Sequence, residues 1–379
     1  MVLKGCTAAY DMYFEFPTAT REGVEAIGQG YSDLGLRAVL APMMADITLF
    51  HAIPGLLEAL PDPLQSRAAS MAAAPYEQHI GMCKEILDNW SFDRDFVRPA
   101  LGPTIPLHCS DDFLSACRNL SDEYDVGIQM HLAESRVQAV AAQTRYGKSL
   151  AAHVDGLGLL TERFTGAHCV WLDDEDMHRM ADSSATIAHN PGSNLRLGSG
   201  IARARAMLER GNTVGIGSDG SGSSDNQNMF EALRMAAFVS RTQRAEPSEW
   251  LGTWEVLQMG TTGGARVLGM EDQIGQIAPG FKSDIVFLDL TNVNFVPLND
   301  AANQIVNCED SSAVDSVMIG GRMVLQQRKF TSFDYHALQN QVAEAVVRLR
   351  DVNEEKRETM EMMARYVSSH CVGLACGGH

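Results

Sequence analysis

VGIQMHLAE, residues 126–134, is a short apolar, β-prone run that ends on His131 and Glu134. Three later runs repeat the layout: TGAHCVWL (165–172) carries His168, ATIAHNP (185–191) carries His189 and Asn190, and TVGIGSDG (213–220) carries Asp219. Upstream, LKGCTAAYD (3–11), RAVLAPMM (37–44) and VRPALGPT (97–104) have the same character. Helical patterns fill the intervals at 19–33, 54–70, 76–90, 111–123, 136–147, 173–182 and 200–210. Regular β-then-α order with strands apolar throughout implies a parallel sheet covered by helices. Ionisable residues, Asp11 included, gather where different strands end, which is how a (β/α)8 barrel builds an active site. A doubly wound sheet would open with a Gly-rich turn, and no GxGxxG or GxxxxGK[ST] follows any strand here. The expected fold is therefore α/β, a TIM-type (β/α)8 barrel of which seven strands are counted, the remaining one being either missed or absent from this chain.

Beyond residue 220 the pattern changes. Helices are expected at 227–240 and 248–269. IGQIAPGFKSDIVFLDL (274–290) reads as two strands about the Pro279-Gly280 turn, and residues 314–330 as a hairpin over Gly320-Gly321. So few strands cannot form an independent sandwich. The organisation expected is a barrel over 1–272, a β-sandwich remnant over 273–330, and a C-terminal helix and tail over 331–379. Within the last part, 334–367 reads as one charged, Met-rich amphipathic helix.

Composition bounds the function. The 379 residues are 45% hydrophobic and 21% charged, an ordinary globular balance. Forty-eight acidic against 30 basic residues give a net charge of −18. Such a surface repels phosphate backbones and anionic lipid, and Lys356 and Arg357, the densest basic stretch, sit among acids. The expected partner is a small molecule, with a homo-oligomer left open, and neither nucleic acid nor membrane. No apolar run approaches the ~18 residues of a membrane span, and Asp11 comes too early for a signal peptide. Eight scattered cysteines without a CxxC pair imply reduced thiols and a cytoplasmic setting. Cys371 and Cys376, near His370 and His379, read as incidental thiols in a frayed tail.

The strand-end residues carry the chemistry. An imidazole suits a first-row metal, and a carboxylate beside metal-activated water can move its proton. Alone, each residue also has a plain structural use: HxxE is common, His168 sits among apolar residues, and the Asn, Pro and Gly after His189 favour turns. Taken together on four successive strands, they propose a metal held by His131 and Asp219, with His168 near or on it and Glu134 shuttling the proton.

At this point HLAES, GAHCVWLDDEDM, AHNPGSNLRL, GIGSDG and NMFEALRMA, in that order, resemble the amidohydrolase superfamily. More narrowly they resemble its branch of S-adenosylhomocysteine, guanine and cytosine deaminases and triazine hydrolases. The resemblance implies one divalent metal, zinc or else iron, on His131, His168 and Asp219. It implies catalytic roles for Glu134, His168 and Asp219, and a pocket shaped by His189 and Asn190. Metal-activated water would then deaminate a nitrogen heterocycle or amidine. Triazine-type dechlorination is the alternative.

Two departures from the family pattern bear on this expectation. Gly5-Cys6-Thr7 matches the family's second strand, so its first-strand HxH pair has no counterpart here. A truncated, catalytically impaired fragment is thereby a further alternative. Thr104 stands where adenosine-type deaminases place a substrate-binding His, which counts against adenosine-like substrates.

Overall fold

The computed structural model describes residues 1–15 and 17–376. Eight strands form the main sheet: β1 (Ala8–Asp11), β2 (Arg37–Leu40), β3 (Met43–Met44), β4 (Val97–Pro103), β5 (Gly127–Leu132), β6 (Phe164–His168), β7 (Thr186–His189) and β8 (Thr213–Ile216). All pair in parallel in the order β1-β2-β4-β5-β6-β7-β8, while β3 continues beside the end of β4. The single run expected at 37–44 is thus two strands. Pro42 interrupts it, having no N–H to give a ladder, and its carbonyl lies 2.7 Å from where Gly102 would carry a Cβ.

Helices between the strands start where short polar side chains can cap them. Ser110, Ser135 and Ser149 each accept the backbone N–H three residues on, satisfying a donor that the first helical turn leaves free. Outward strand residues such as Met130, Leu132, Phe164, Ile187 and Val214 pack with Phe113, Met177 and Met207 of these helices in one core.

Among the described residues β1 and β8 do not pair with each other. The segment after the helix Met229–Arg241 lies against this open side. It runs as one helix from Thr253 to Val267, widened to π geometry at Met259–Gly263, so the helix expected at 248–269 is present but shorter at both ends. Leu268 packs on Val39, Ala41 and Ala100, which alternate along the strands with the outward Ala38, Leu40 and Leu101. Thr165 Oγ1 donates to the Val267 carbonyl at 3.4 Å, and Arg98 to that of Gly269 at 2.8 Å.

A second, antiparallel sheet has the order β12-β11-β10-β9, with β9 (Ile285–Leu288), β10 (Val314–Ile319), β11 (Arg322–Gln326) and β12 (Lys329–Phe330). Val317, Ile319, Val324 and Leu325 of this sheet bury against Val2, Leu36 and Phe230. The hairpin turn is at Gly320-Gly321 with both φ positive. Residues 274–290 supply one strand rather than two, because Ile277 is left exposed without a pairing strand.

Other departures from the sequence expectation are local. The run 3–11 begins as a 3-10 turn, Val2–Lys4, because Gly5 takes a left-handed φ of 82° against the Phe230 ring. The helix expected over 54–70 is shortened to Asp62–Ser70, with Gly55 left-handed and Pro61 at its N-cap. The stretch 334–367 forms two helices, Tyr335–Val352 and Glu354–Cys376, divided at Asn353. The first buries no residue, while the second buries Thr359 and Met363 and places His370 Nε2 2.8 Å from the Pro54 carbonyl oxygen. The tail is therefore helical through Cys376, not frayed; His379 lies outside the described residues. No described helix is long and apolar enough to cross a membrane.

Candidate active site

His131 is the last residue but one of β5, and two bonds set its ring. Its backbone N–H donates to the Thr104 carbonyl at 2.8 Å, and its Nδ1–H donates to the same oxygen at 2.7 Å. A carbonyl only accepts, so the proton sits on Nδ1 and Nε2 keeps its lone pair. Burial, and then the neighbouring His168, hold the His131 pKa below its ordinary value. The Thr104 hydroxyl turns away to Met43 Sδ at 3.7 Å.

Beyond β5 the chain turns sharply at Ala133, φ 48°, and presents Glu134. The Glu134 N–H donates to Gln138 Oε1 at 3.0 Å, and Gln138 Nε2 donates back to Glu134 Oε2 at 3.4 Å. Gln138 thereby steadies the carboxylate.

His168 ends β6 opposite Leu132 in register. It takes a left-handed φ of 70°, followed by Cys169 at 52°. Such angles are uncommon for residues with a Cβ; here Cys169 N–H is tied to Leu132 and Trp171 N–H to Ala133. The ring is 2% exposed. Its Nδ1 lies 2.9 Å from Asn194 Oδ1, and its Nε2 3.8 Å from Asp219 Oδ2. His131 and His168 stack with centroids 5.6 Å apart.

Asp219 is also left-handed, φ 57°, and its Oδ1 accepts the Gly220 N–H at 2.6 Å, leaving Oδ2 turned to His168. Gly217 precedes it because Asn190 Oδ1 occupies the place of a Cβ, 2.2 Å away. Asn190 Nδ2 donates to the Ala188 carbonyl at 3.3 Å. His189 is fully enclosed at the end of β7, with no hydrogen-bond partner for either ring nitrogen among the described residues. Burial first, then His168, push its pKa down to about 4.

The structure thus joins His131, His168 and Asp219 pairwise across three strands. Among the described residues, no group of three or more His, Cys, Asp or Glu side chains is assembled to hold a metal ion. The Asp11 carboxylate accepts the Tyr31 hydroxyl at 2.8 Å. Two residues escaped the sequence reading. Asn194 stood inside the quoted AHNPGSNLRL run but had no assigned role. His108 follows Thr104 by four residues, and burial, with His131 and Arg145 next, pushes its pKa down to about 4; the PTIPLH spacing could have flagged it.

The amidohydrolase family model matches residues 1–324 of the 379. The chain belongs to the amidohydrolase family. A 5-methylthioadenosine/S-adenosylhomocysteine deaminase of Desulforamulus reducens is 35% identical over 267 residues, 70% of this amidohydrolase and 61% of that relative. The chain therefore spans about three fifths of that curated relative's length. Among solved structures, a zinc-bound adenosine deaminase of Xanthomonas campestris superposes with a TM-score of 0.80 at 26% identity, covering 92% of this chain and 73% of that one. Zinc-complexed atrazine chlorohydrolase of Arthrobacter aurescens also gives 0.80, at 27% identity, covering 91% and 73%.

Proposed function

We propose that this amidohydrolase is a metal-dependent hydrolase of non-peptide C–N bonds that deaminates a nitrogen heterocycle or an amidine. One observation carries the reading: His168 Nε2 and Asp219 Oδ2 face each other at 3.8 Å beside the His131 ring. Ligands of one zinc, each ~2.0–2.2 Å from it, stand ~3–4 Å apart, so this pair fits. His131 Nε2 carries a third lone pair of the right kind, although the three side chains do not stand together as a metal-binding group among the described residues. His131, His168 and Asp219 would hold the ion, zinc in preference to iron given the zinc in both solved relatives. When bound, it would supply Lewis-acid activation of water.

The chain's own residues do the rest. Glu134, steadied at Oε2 by Gln138, takes a proton from the attacking water and returns it to the departing nitrogen. Water oxygen replaces the amino group on the carbon, and ammonia leaves. Asp219, through Oδ1, the oxygen not turned to His168, takes the second proton of the water and passes it to the neighbouring ring nitrogen, and His168 orients the water and the substrate. His189, with two unpaired ring nitrogens, and Asn190 shape the pocket for a substrate bearing ring heteroatoms, while the Thr104 side chain borders it.

Triazine-type dechlorination is the second reading, favoured by the equal TM-score of the chlorohydrolase. The relatives' small-molecule substrates and the −18 charge support a small-molecule partner rather than nucleic acid. Unpaired cysteines support a cytoplasmic setting. The uncovered apolar residues Leu338, Val342, Leu349 and Val352 support self-association, which light scattering reads.

The test is ammonia and chloride release by zinc-supplemented protein over aminopurines, aminopyrimidines, amidines and chlorotriazines. Ammonia release that follows zinc occupancy supports deamination, and chloride release selects the second reading. If zinc binds and neither product forms with any of these, the hydrolase reading fails.

A further inference from the structure

The ring of His168 can present either nitrogen to Asp219, and something must choose. We propose that Asn194 is the positioning residue that fixes the tautomer of His168, keeping the proton on Nδ1 and the lone pair on Nε2. This deepens the site reading above and rests on it for its consequence, though not for its geometry.

Three observations carry it. Asn194 is 1% exposed and His168 2%, so no solvent competes for the 2.9 Å contact between Oδ1 and Nδ1. Asn194 is itself anchored at both ends: its N–H donates to the Asn190 carbonyl at 3.0 Å, and its carbonyl accepts from Ser199 N–H at 2.9 Å. Its Nδ2, by contrast, is buried without a partner among the described residues. Leaving a buried donor unpaired is destabilising, so this side chain is not arranged for its own stability. Its one side-chain bond goes to His168.

The chemical consequence follows from the inventory of lone pairs. With Nδ1–H donated to Asn194, Nε2 faces Asp219 as a donor atom for a cation, as His131 Nε2 does with its Nδ1–H on Thr104. With the amide reversed, Nδ2 would donate to Nδ1, and Nε2–H would point at the carboxylate. The ring would then have no lone pair to offer there. An outer hydrogen bond of this kind fixes both tautomer and ring orientation, and losing it weakens metal affinity ~10–100-fold.

The experiment uses the full chain labelled with 15N-histidine, at pH 8 without added metal. Long-range 1H–15N spectra separate the two neutral tautomers, and His168→Gln identifies the His168 signals by their loss. The expected wild-type spectrum shows His168 protonated on Nδ1. Asn194→Asp, which keeps an acceptor oxygen, preserves that pattern, whereas Asn194→Ala mixes in the Nε2-protonated form. Zinc titration should show ~10–100-fold weaker binding for Asn194→Ala, restored by Asn194→Asp. An Nε2-protonated His168 in the wild type overturns the proposal whether or not any variant folds. So does an Asn194→Ala protein with an unchanged His168 spectrum. If the tautomer is as stated but the wild type binds no zinc, the tautomer assignment stands and the metal reading of the site fails.

Discussion

His131 and His168 lie ring over ring, their centroids 5.6 Å apart and their planes 16° from parallel. Each ring has its Nδ1 tied and its Nε2 unbound by any described hydrogen bond. Burial, and then the second imidazole beside it, disfavour a positive charge on His131, which keeps its Nε2 lone pair available to a cation.

Glu134 stands outside this donor set, with its Oε2 on Gln138. Glu134→Gln should therefore lower ammonia release by ~10²–10⁴-fold while leaving zinc affinity within a few-fold of wild type, because it removes proton transfer and no ligand. Asp219→Asn should lower both. Metal analysis beside turnover separates the two patterns, and equal loss of zinc in both variants would count against Glu134 as the proton carrier.

His189 makes stability depend on pH. Its folded pKa of about 4 lies below the ordinary 6.5 of an unfolded chain. Between those values the unfolded state binds the extra proton, so stability is full above pH 6.5 and falls as pH drops toward 4. One such group contributes on the order of 3 kcal/mol across that window. Urea melts at pH 7 and pH 5 should show the decline, and His189→Gln should flatten it. An unchanged slope in the variant would mean that the ring is protonated in the fold.

The alternation of apolar runs and helical stretches made the barrel legible, since buried parallel strands and amphipathic helices write different periods into a chain. His131, His168, His189 and Asp219 were legible too, because each closes such a run. What could not be read is what depends on distant partners. Asn194 meets His168 across 26 residues, and Leu268 covers Val39 and Ala100 from the turn after a helix whose sequence says nothing of its neighbour. Thr104 was read for its side chain, yet its carbonyl holds His131. Any residue type can supply a carbonyl, so no motif marks it.

Arg37 and Asp284 are 247 residues apart and form a two-pronged ion pair that ties β2 to the start of β9. Their side chains are 1% and 3% exposed, and Asp284 Oδ1 also accepts the Gly320 N–H at 2.7 Å. Removing one partner strands a buried charge, so Asp284→Ala should cost ~3–5 kcal/mol in chemical denaturation. Replacing both residues by apolar ones of similar size should cost much less. If the double variant is no better than the single one, the loss comes from the Gly320 turn rather than from the charge.

Gly263 and Gly264 test how the open side of the sheet is covered. Both are helical, with φ of −63° and −61°, so alanine suits either backbone. At Gly264 the nearest atom to an added Cβ is Met259 O at 3.8 Å, an ordinary contact. Gly264→Ala should therefore gain up to ~1 kcal/mol from helix propensity. At Gly263 the Cβ would stand 2.4 Å from the Val214 carbonyl oxygen of β8. Neither group is a flexible side-chain tip, so the helix must move off the strand, at ~1–3 kcal/mol. The two substitutions are chemically identical and adjacent, and only contact with β8 separates their signs. Thermal melts that rank them alike would show that this helix does not lie on β8, and that β8 keeps its inner face by other means.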